Sequence, residues 1–485
     1  MPLSIAEDYM IAAGQRLLID NDPIGILLRH PHVVPDQPPP PTLTIHGEYA
    51  YRGSGTSFWS TALQFEYSSG GWSNSEIGNQ THVAIRISET GVVDVEGGRF
   101  IRGVFSEAYN GDFVNDGRFE VRCTDPFGIA DGLGTPHGTS FDFINRGTYR
   151  VLSLNEAKGV TLANGGNFVN SGTFEVLGGT SAIGLHTSGG GGATQFLNTG
   201  TIRVLTDIAG GEQRTVALQY GHLDDYPNDR PELTFVIRNE GLIESNGWAI
   251  KGIHNFSPMQ RARDVLLNSG EIIGDIDLFL GNDEIVNTGR IEGDVYLNGD
   301  NDIYRGQDGL LIGSVFGGDG HDQIFGGDLD EYLAGDGGDD IIHGGGGDDR
   351  LEGGRGRDQL FGEDGDDVLF LFAGPDDDLI DGGAGYDVVE LWAKKSDFEI
   401  IETSDGILLA GQWGKALLKN IEAISFSDGI WSPGLIVCPP APEAEGAPKT
   451  PEAPLVPVVC ELESIDPRDL ATTINPTAAG GDWIL

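Results

Sequence analysis

The chain has 485 residues, with 75 Asp and Glu against 29 Lys and Arg, a formal net charge of −46, 75 Gly and only 3 Cys. So acidic a composition excludes binding through nucleic-acid phosphates, which needs a basic face, and disfavours docking on anionic lipid. Glycine at about twice its usual frequency of roughly 7% argues against a helical protein and for an all-β one whose natural partners are cations.

Residues 1–45 form an N-terminal segment with a capping role as the expectation. Its start, MPLSIAEDYMIAAGQRLLIDNDP, lacks a basic n-region and a continuous apolar h-region, so a cleaved secretory leader is not expected. No run of 18 apolar residues predicts a membrane span, and membrane insertion is not expected.

Residues 46–316 carry a repeat of the form N-x-G-x-[IF]-x-V. It reads FVNDGRFEV around Asn115, FINRGTYRV around Asn145, FVNSGTFEV around Asn170 and FLNTGTIRV around Asn198. Later copies centre on Asn239, Asn268 and Asn287, with Gln307 in the asparagine place of a worn eighth copy. The Asn and Gly read as a turn that tolerates positive φ, followed by a strand with one face inward. Intervals of 30, 25, 28, 41, 29 and 19 residues suit one coil each of a right-handed parallel β-solenoid. A sandwich of unrelated hairpins is the alternative, weakened by the constant relation of one turn signature to one strand pattern.

From Gly317 to Glu390 the period becomes nine: GGDGHDQIF, GGDLDEYLA, GDGGDDIIH, GGGGDDRLE, GGRGRDQLF and GEDGDDVLF, then, after the inserted Leu371 and Phe372, AGPDDDLID and GGAGYDVVE. The eighth position is always aliphatic (Ile324, Leu333, Ile342, Leu351, Leu360, Leu369, Ile380, Val389). The sixth is Asp except at Glu331. A solvated acidic linker would not preserve the aliphatic position, so the tract reads as tight six-residue turns joined by short strands.

These units resemble the hemolysin-type, or RTX, calcium-binding nonapeptide G-G-x-G-x-D-x-U-x. The resemblance implies a β-roll with two nonapeptides per turn and each Ca2+ between unit n and unit n+2. The ion would take carbonyls of positions two and four with the position-six Asp of the first unit, and carbonyls of positions one and three with the Asp of the second. Carried onto this chain, one site uses Gly318, Gly320 and Asp322 with Gly335, Gly337 and Asp340. The next on that side uses Asp336, Gly338 and Asp340 with Gly353, Arg355 and Asp358. On the other side, Gly345, Gly347 and Asp349 join Gly362, Asp364 and Asp367, and Glu363, Gly365 and Asp367 join Gly382, Ala384 and Asp387. A site from Gly354, Gly356 and Asp358 to Ala373, Pro375 and Asp378 spans the insertion. The site of unit two, with Leu329 and Glu331 facing Gly344, Gly346 and Asp349, is the weakest. About four to six calcium ions are thus implied, held by hard oxygen ligands, with folding and metal binding as one equilibrium.

Asp283 and Asp302 echo the pattern upstream, with turn-forming Asp as the plainer reading and calcium as the other. Residues 391–437 return to strand patterning, and Leu418–Gly429 resembles the element that closes RTX rolls, so this stretch is expected as a small β cap. Residues 438–485 begin as a Pro-rich spacer, with Cys438 and Cys460 either bridged or free. The tail has the place of the uncleaved export signal that RTX proteins present to a type I secretion system. Export by that machinery implies a roll that folds where calcium is millimolar, outside the cell.

For the solenoid, the expected role is non-enzymatic: an adhesin or surface-structural module, with cell-surface glycans as candidate partners. The alternative is a polysaccharide lyase or uronate epimerase, for which Tyr220, His222, Asp224 and Asp225, with Lys251 and His254 one coil later, are the candidate catalytic residues. A polar loop bulging from one coil is the simpler account of that cluster. The chain has no H-E-x-x-H of a zinc protease, no G-x-S-x-G elbow of a lipase and no long apolar helical stretch of a pore former.

Overall fold

A computed structural model describes residues 3–5, 9–20, 24–30, 42–53, 60–67, 82–106, 110–135, 140–162, 166–188, 195–207, 214–223, 234–255, 263–371, 377–412 and 414–433. The spacer, Cys438, Cys460 and the tail lie outside them.

The described chain is a parallel β-solenoid that passes without interruption into a β-roll. A typical solenoid coil lays down three strands, as in Asn110–Asn115, Arg118–Cys123 and Ile129–Gly134, which pair in parallel with Ser140–Asn145, Thr148–Ser153 and Glu156–Leu162 of the next coil; in two later coils the single strands Leu242–Asn255 and Glu271–Asp277 serve both the second and the third position. Repeating this step builds three ladders. The first runs from Tyr9–Ile11 to Gly414–Lys419, and the third from Leu3–Ile5 to Ala423–Phe426. The second starts at Arg16–Asp20 and stops at Leu310–Ile312. Residues 1–45, expected as an N-terminal segment, therefore contribute rungs to all three ladders.

The end of the second ladder is the change from solenoid to roll. Ile303–Arg305 is followed by Leu310–Ile312 and then Ser314–Asp319; one coil later Gln323–Phe325 leads through a glycine turn straight to Tyr332–Gly337. That is the first of four two-strand coils, the last of which ends at Val388–Glu390. The antiparallel strands Phe398–Thr403, Gly406–Gly411 and Gly414–Lys419 then close the end, covering edges that would otherwise template aggregation.

Alternation along each strand sends one face inward, and one apolar core runs from Ile11 to Phe426. Phe113, Phe143, Phe168 and Phe196 stack down the axis at 5.3, 5.0 and 5.1 Å between centroids. In the roll the eight position-eight aliphatics are at most 1% exposed. Outside, the second ladder carries rungs of paired charge: Glu120 with Arg150, Arg150 with Glu175, and Arg203 with Glu244.

The N-x-G signature has a different cause from the one expected. Nδ2 of each buried asparagine donates to Oδ1 of the next, from Asn115 through Asn145, Asn170, Asn198, Asn239 and Asn268 to Asn287, at 2.7–2.8 Å. The second amide proton caps a carbonyl past the turn of the next coil, such as that of Thr148, 3.0 Å from Asn115 Nδ2. The glycines of these turns, such as Gly147 and Gly172, are absent from the positive-φ residues. They are glycine because a Cβ would collide with the carbonyl oxygen of the equivalent glycine one coil back.

Candidate metal centre

Two corners of the roll carry the sequence-predicted aspartates in two straight stacks. On one, Asp322, Asp340, Asp358 and Asp378 follow each other; on the other, Glu331, Asp349, Asp367 and Asp387. The link is the same at each step: the backbone N–H of one acid donates to a side-chain oxygen of the acid two units on. Asp322 N to Asp340 Oδ1 is 2.8 Å, Asp340 N to Asp358 Oδ1 2.9 Å, and Asp349 N to Asp367 Oδ1 2.8 Å. The n to n+2 partnership expected from the repeat is thus the register of adjacent coils.

One oxygen of each carboxylate is used in this way. The other, Oδ2 of Asp322, Asp340, Asp349, Asp367 and Asp387, is buried with no protein partner. Beside each lies the position-one glycine of its own turn and, for all but Asp387, the position-one carbonyl of the coil above. A Cβ on Gly317 would sit 2.6 Å from Asp322 Oδ2 and 2.8 Å from Gly335 O, and Gly335, Gly344, Gly353, Gly362 and Gly382 crowd the Oδ2 of their own aspartates in the same way. Glycine keeps each of these spaces clear.

Backbone conformation aims the remaining carbonyls. Position two is left-handed in Gly318, Asp336, Gly345, Gly354, Glu363 and Gly383, and position four in Gly338, Gly347, Gly356, Gly365 and Gly385. Asp336 at φ 69° and Glu363 at φ 77° adopt this state without being glycine. The position-four N–H donates to the position-three carbonyl of the next coil, as from Gly320 to Gly337 and from Gly347 to Asp364.

Burial pushes Asp340 and Asp349 up to about 8, with the acids above and below adding to the rise and a backbone N–H opposing it. Asp322, Asp367 and Asp387 rise to about 6, and Glu331 to about 7, again chiefly through burial. Acids this crowded need a proton or a cation. Among the described residues no three His, Cys, Asp or Glu side chains converge on one point. The donor set is instead paired carboxylates with backbone carbonyls, which fits a hard cation such as calcium and none of the softer metals.

The weakest predicted site has its own geometry. Glu331 bends back so that Oε2 accepts from Gly327 N at 2.8 Å, while its backbone N–H keeps the stack by donating to Asp349 Oδ1. For the site spanning the insertion, Asp358 donates to Asp378 Oδ1 at 3.0 Å, and Ala373 and Pro375 lie outside the described residues.

Sequence reasoning missed two features. Glu422 ends the second stack, its Oε2 accepting from Asp387 N at 2.8 Å, and the Asn420 carbonyl occupies the space above Gly382. Position five carries a second, outer ladder in the opposite sense: Asp366 N donates to Asp348 Oδ1, and Asp348 N to Asp330 Oδ1, both at 2.9 Å. The acids at positions five in GDDR and GDDV were the available signal.

Of the residues of the enzymatic alternative, Tyr220 and Lys251 are not brought together. Tyr220 faces the core, stacked on Phe235 at 4.8 Å, and burial raises its hydroxyl well above its ordinary value. Lys251 pairs in register with Gln219, so its side chain has the opposite parity; it lies 3.7 Å from the Trp248 ring centroid and 3.3 Å from Asp277 Oδ2. His222 and His254 are register partners, and their side chains, like Asp224 and Asp225, lie outside the described residues.

A family model described as the RTX calcium-binding nonapeptide repeat matches four times, at residues 314–330, 325–360, 334–369 and 362–389. No curated protein and no solved structure matches the chain significantly. Residues 314–389 are RTX calcium-binding nonapeptide repeats, borne on a chain whose larger part is a parallel β-solenoid.

Proposed function

We propose that this is a secreted bacterial calcium-binding protein whose roll folds on Ca2+ outside the cell and whose solenoid is a non-enzymatic binding module, an adhesin or a surface-structural element. The observation that carries the calcium switch is the row of buried Oδ2 atoms with no protein partner. Without a cation these carboxylates oppose the stacking of the coils, and with one they become its ligands. In a low-calcium cytosol the chain would remain exportable by a type I system, and millimolar calcium would close the roll outside.

The binding role is favoured by the long lateral faces, where charged side chains are already paired along the ladder. It is also favoured by the interior position of Tyr220, which removes one member of the catalytic cluster from any substrate. Retention of the full chain on cell-surface polysaccharide, in millimolar calcium and in EDTA, tests this reading. Calcium-dependent retention without turnover is expected. Depolymerisation or epimerisation of a uronate polymer, abolished by His222→Ala, would replace it with the enzymatic reading.

A further inference from the structure

The carboxylate stack on the first corner does not begin where the nonapeptides begin. Asp264 N donates to Asp283 Oδ1 at 2.7 Å, Asp283 N to Asp302 Oδ1 at 2.6 Å and Asp302 N to Asp322 Oδ1 at 2.8 Å, so the same link continues for three coils into the three-strand solenoid. Asp283 and Asp302 are both 1% exposed, and Oδ2 of each is buried without a protein partner. Arg263, which acts on Asp283 through its charge, makes its ion pair with Glu284 at 2.5 Å, as Arg305 does at 3.3 Å.

The backbone around them shares two features with the roll, while buried Leu278 and Leu297 stand in the position-one places that glycine holds there. Gly281 N donates to Gly299 O and Asp300 N to Asp319 O, the position-four to position-three bond seen between Gly320 and Gly337. Phe279 and Asn298 hold the left-handed position-two conformation, at φ 79° and 77°. A bulky aromatic rarely adopts it, which marks a turn shaped by something other than its own sequence preference.

Only this corner is converted. Across the same coils the other corner still carries the neutral asparagine ladder, Asn268 to Asn287 at 2.8 Å, with further amide bonds from Asn268 to Arg290 O and from Asn287 to Leu310 O. That corner carries no charge to neutralise, whereas the Asp283–Asp302 corner holds two carboxylates whose Oδ2 atoms have no hydrogen-bond partner. Two facing carboxylates with carbonyl neighbours and no soft donor select a hard divalent ion.

We propose that two calcium ions bind upstream of the nonapeptides, one between turns 279–283 and 298–302 and one between turns 298–302 and 318–322, with Asp302 shared by both. The proposal rests on the calcium reading of the roll. It makes the last solenoid coils part of the calcium switch, so the seam between solenoid and roll is clamped by metal rather than by packing alone.

The test counts calcium ions per full-length chain at saturating calcium by native mass spectrometry. Asparagine is used because it keeps the Oδ1 acceptor of the stack while removing the charge. Asp302→Asn should lower the count by two and Asp283→Asn by one, with the far-UV spectrum retained. Asp340→Asn, inside the nonapeptides, should also lower it by two. An unchanged count in Asp302→Asn beside a lowered count in Asp340→Asn overturns this proposal alone. Unchanged counts in both overturn the calcium reading of the roll as well. Loss of every ion together with the spectrum in Asp302→Asn, but not in Asp283→Asn, would leave the decision to the latter, for which an unchanged count is again contrary.

Discussion

The backbone amide of Asp322 reaches Oδ1 of Asp340 at 2.8 Å, and this one bond leaves Asp340 Oδ2 buried without a partner in the protein. The same side chain is thus both the staple between two coils and half of a cation site. Conservative and drastic changes at Asp340 should therefore separate. Asp340→Asn is predicted to keep the staple and weaken calcium binding by at least tenfold; Asp340→Ala removes both and should cost a further 1–3 kcal/mol or so, the usual penalty of an unanswered buried donor. Calcium titration followed by thermal unfolding of both variants checks the order.

Acid should substitute for calcium. Asp340 and Asp349 sit at about 8 in the folded roll against an ordinary 3.8, chiefly through burial. A carboxyl whose native pKa is raised stabilises the fold fully below its unfolded value and loses that contribution as pH rises through the native one. In EDTA the roll is accordingly predicted to hold its strands near pH 4 and to lose them progressively towards pH 8. With calcium present the dependence reverses in the upper range, because the metal needs the ionised form and protons compete with it. Far-UV circular dichroism across pH, with and without calcium, reads both limbs.

The solenoid should be indifferent to the metal over most of its length. Asn198→Ala strips Asn170 Nδ2 of its acceptor and Asn239 Oδ1 of its donor, both at 2.8 Å. A loss of about 1–3 kcal/mol or more is expected, the same in EDTA as in calcium. Urea unfolding in the two conditions would show it.

Packing in the roll is equally specific. Leu360 is 1% exposed at the eighth position, and Leu360→Ala should cost about 2–5 kcal/mol when calcium is bound. Its calcium midpoint should move to higher concentration by linkage, although no ligand is touched.

The nonapeptide repeats were legible because their signature is local. Position-six Asp, position-one Gly and position-eight aliphatic sit within nine residues, and the register of adjacent coils supplies the partner. The asparagine repeat was legible as a coil signature but not as a ladder, since its bonds join residues 19 to 41 apart and depend on coil stacking. Gly147 shows the same limit: its lack of a side chain answers the carbonyl of Gly117, thirty positions back, and no left-handed angle. Tyr220 was misplaced for a simpler reason. It shares parity with buried Leu218, and reading that alternation first would have sent it inward. Glu422 was hidden because it completes the stack from within the cap, 35 residues after Asp387.

The most direct test of the central claim is hydrogen–deuterium exchange of the full chain in about 1 mM calcium, within the range where extracellular calcium modules saturate, and in EDTA. The account predicts that the backbone amides of Asp322, Asp340, Asp349 and Asp367 are protected with calcium and exchange freely without it, while the asparagine-ladder coils from Asn115 to Asn239 stay protected in both. Equal protection of the four aspartate amides in EDTA would contradict it.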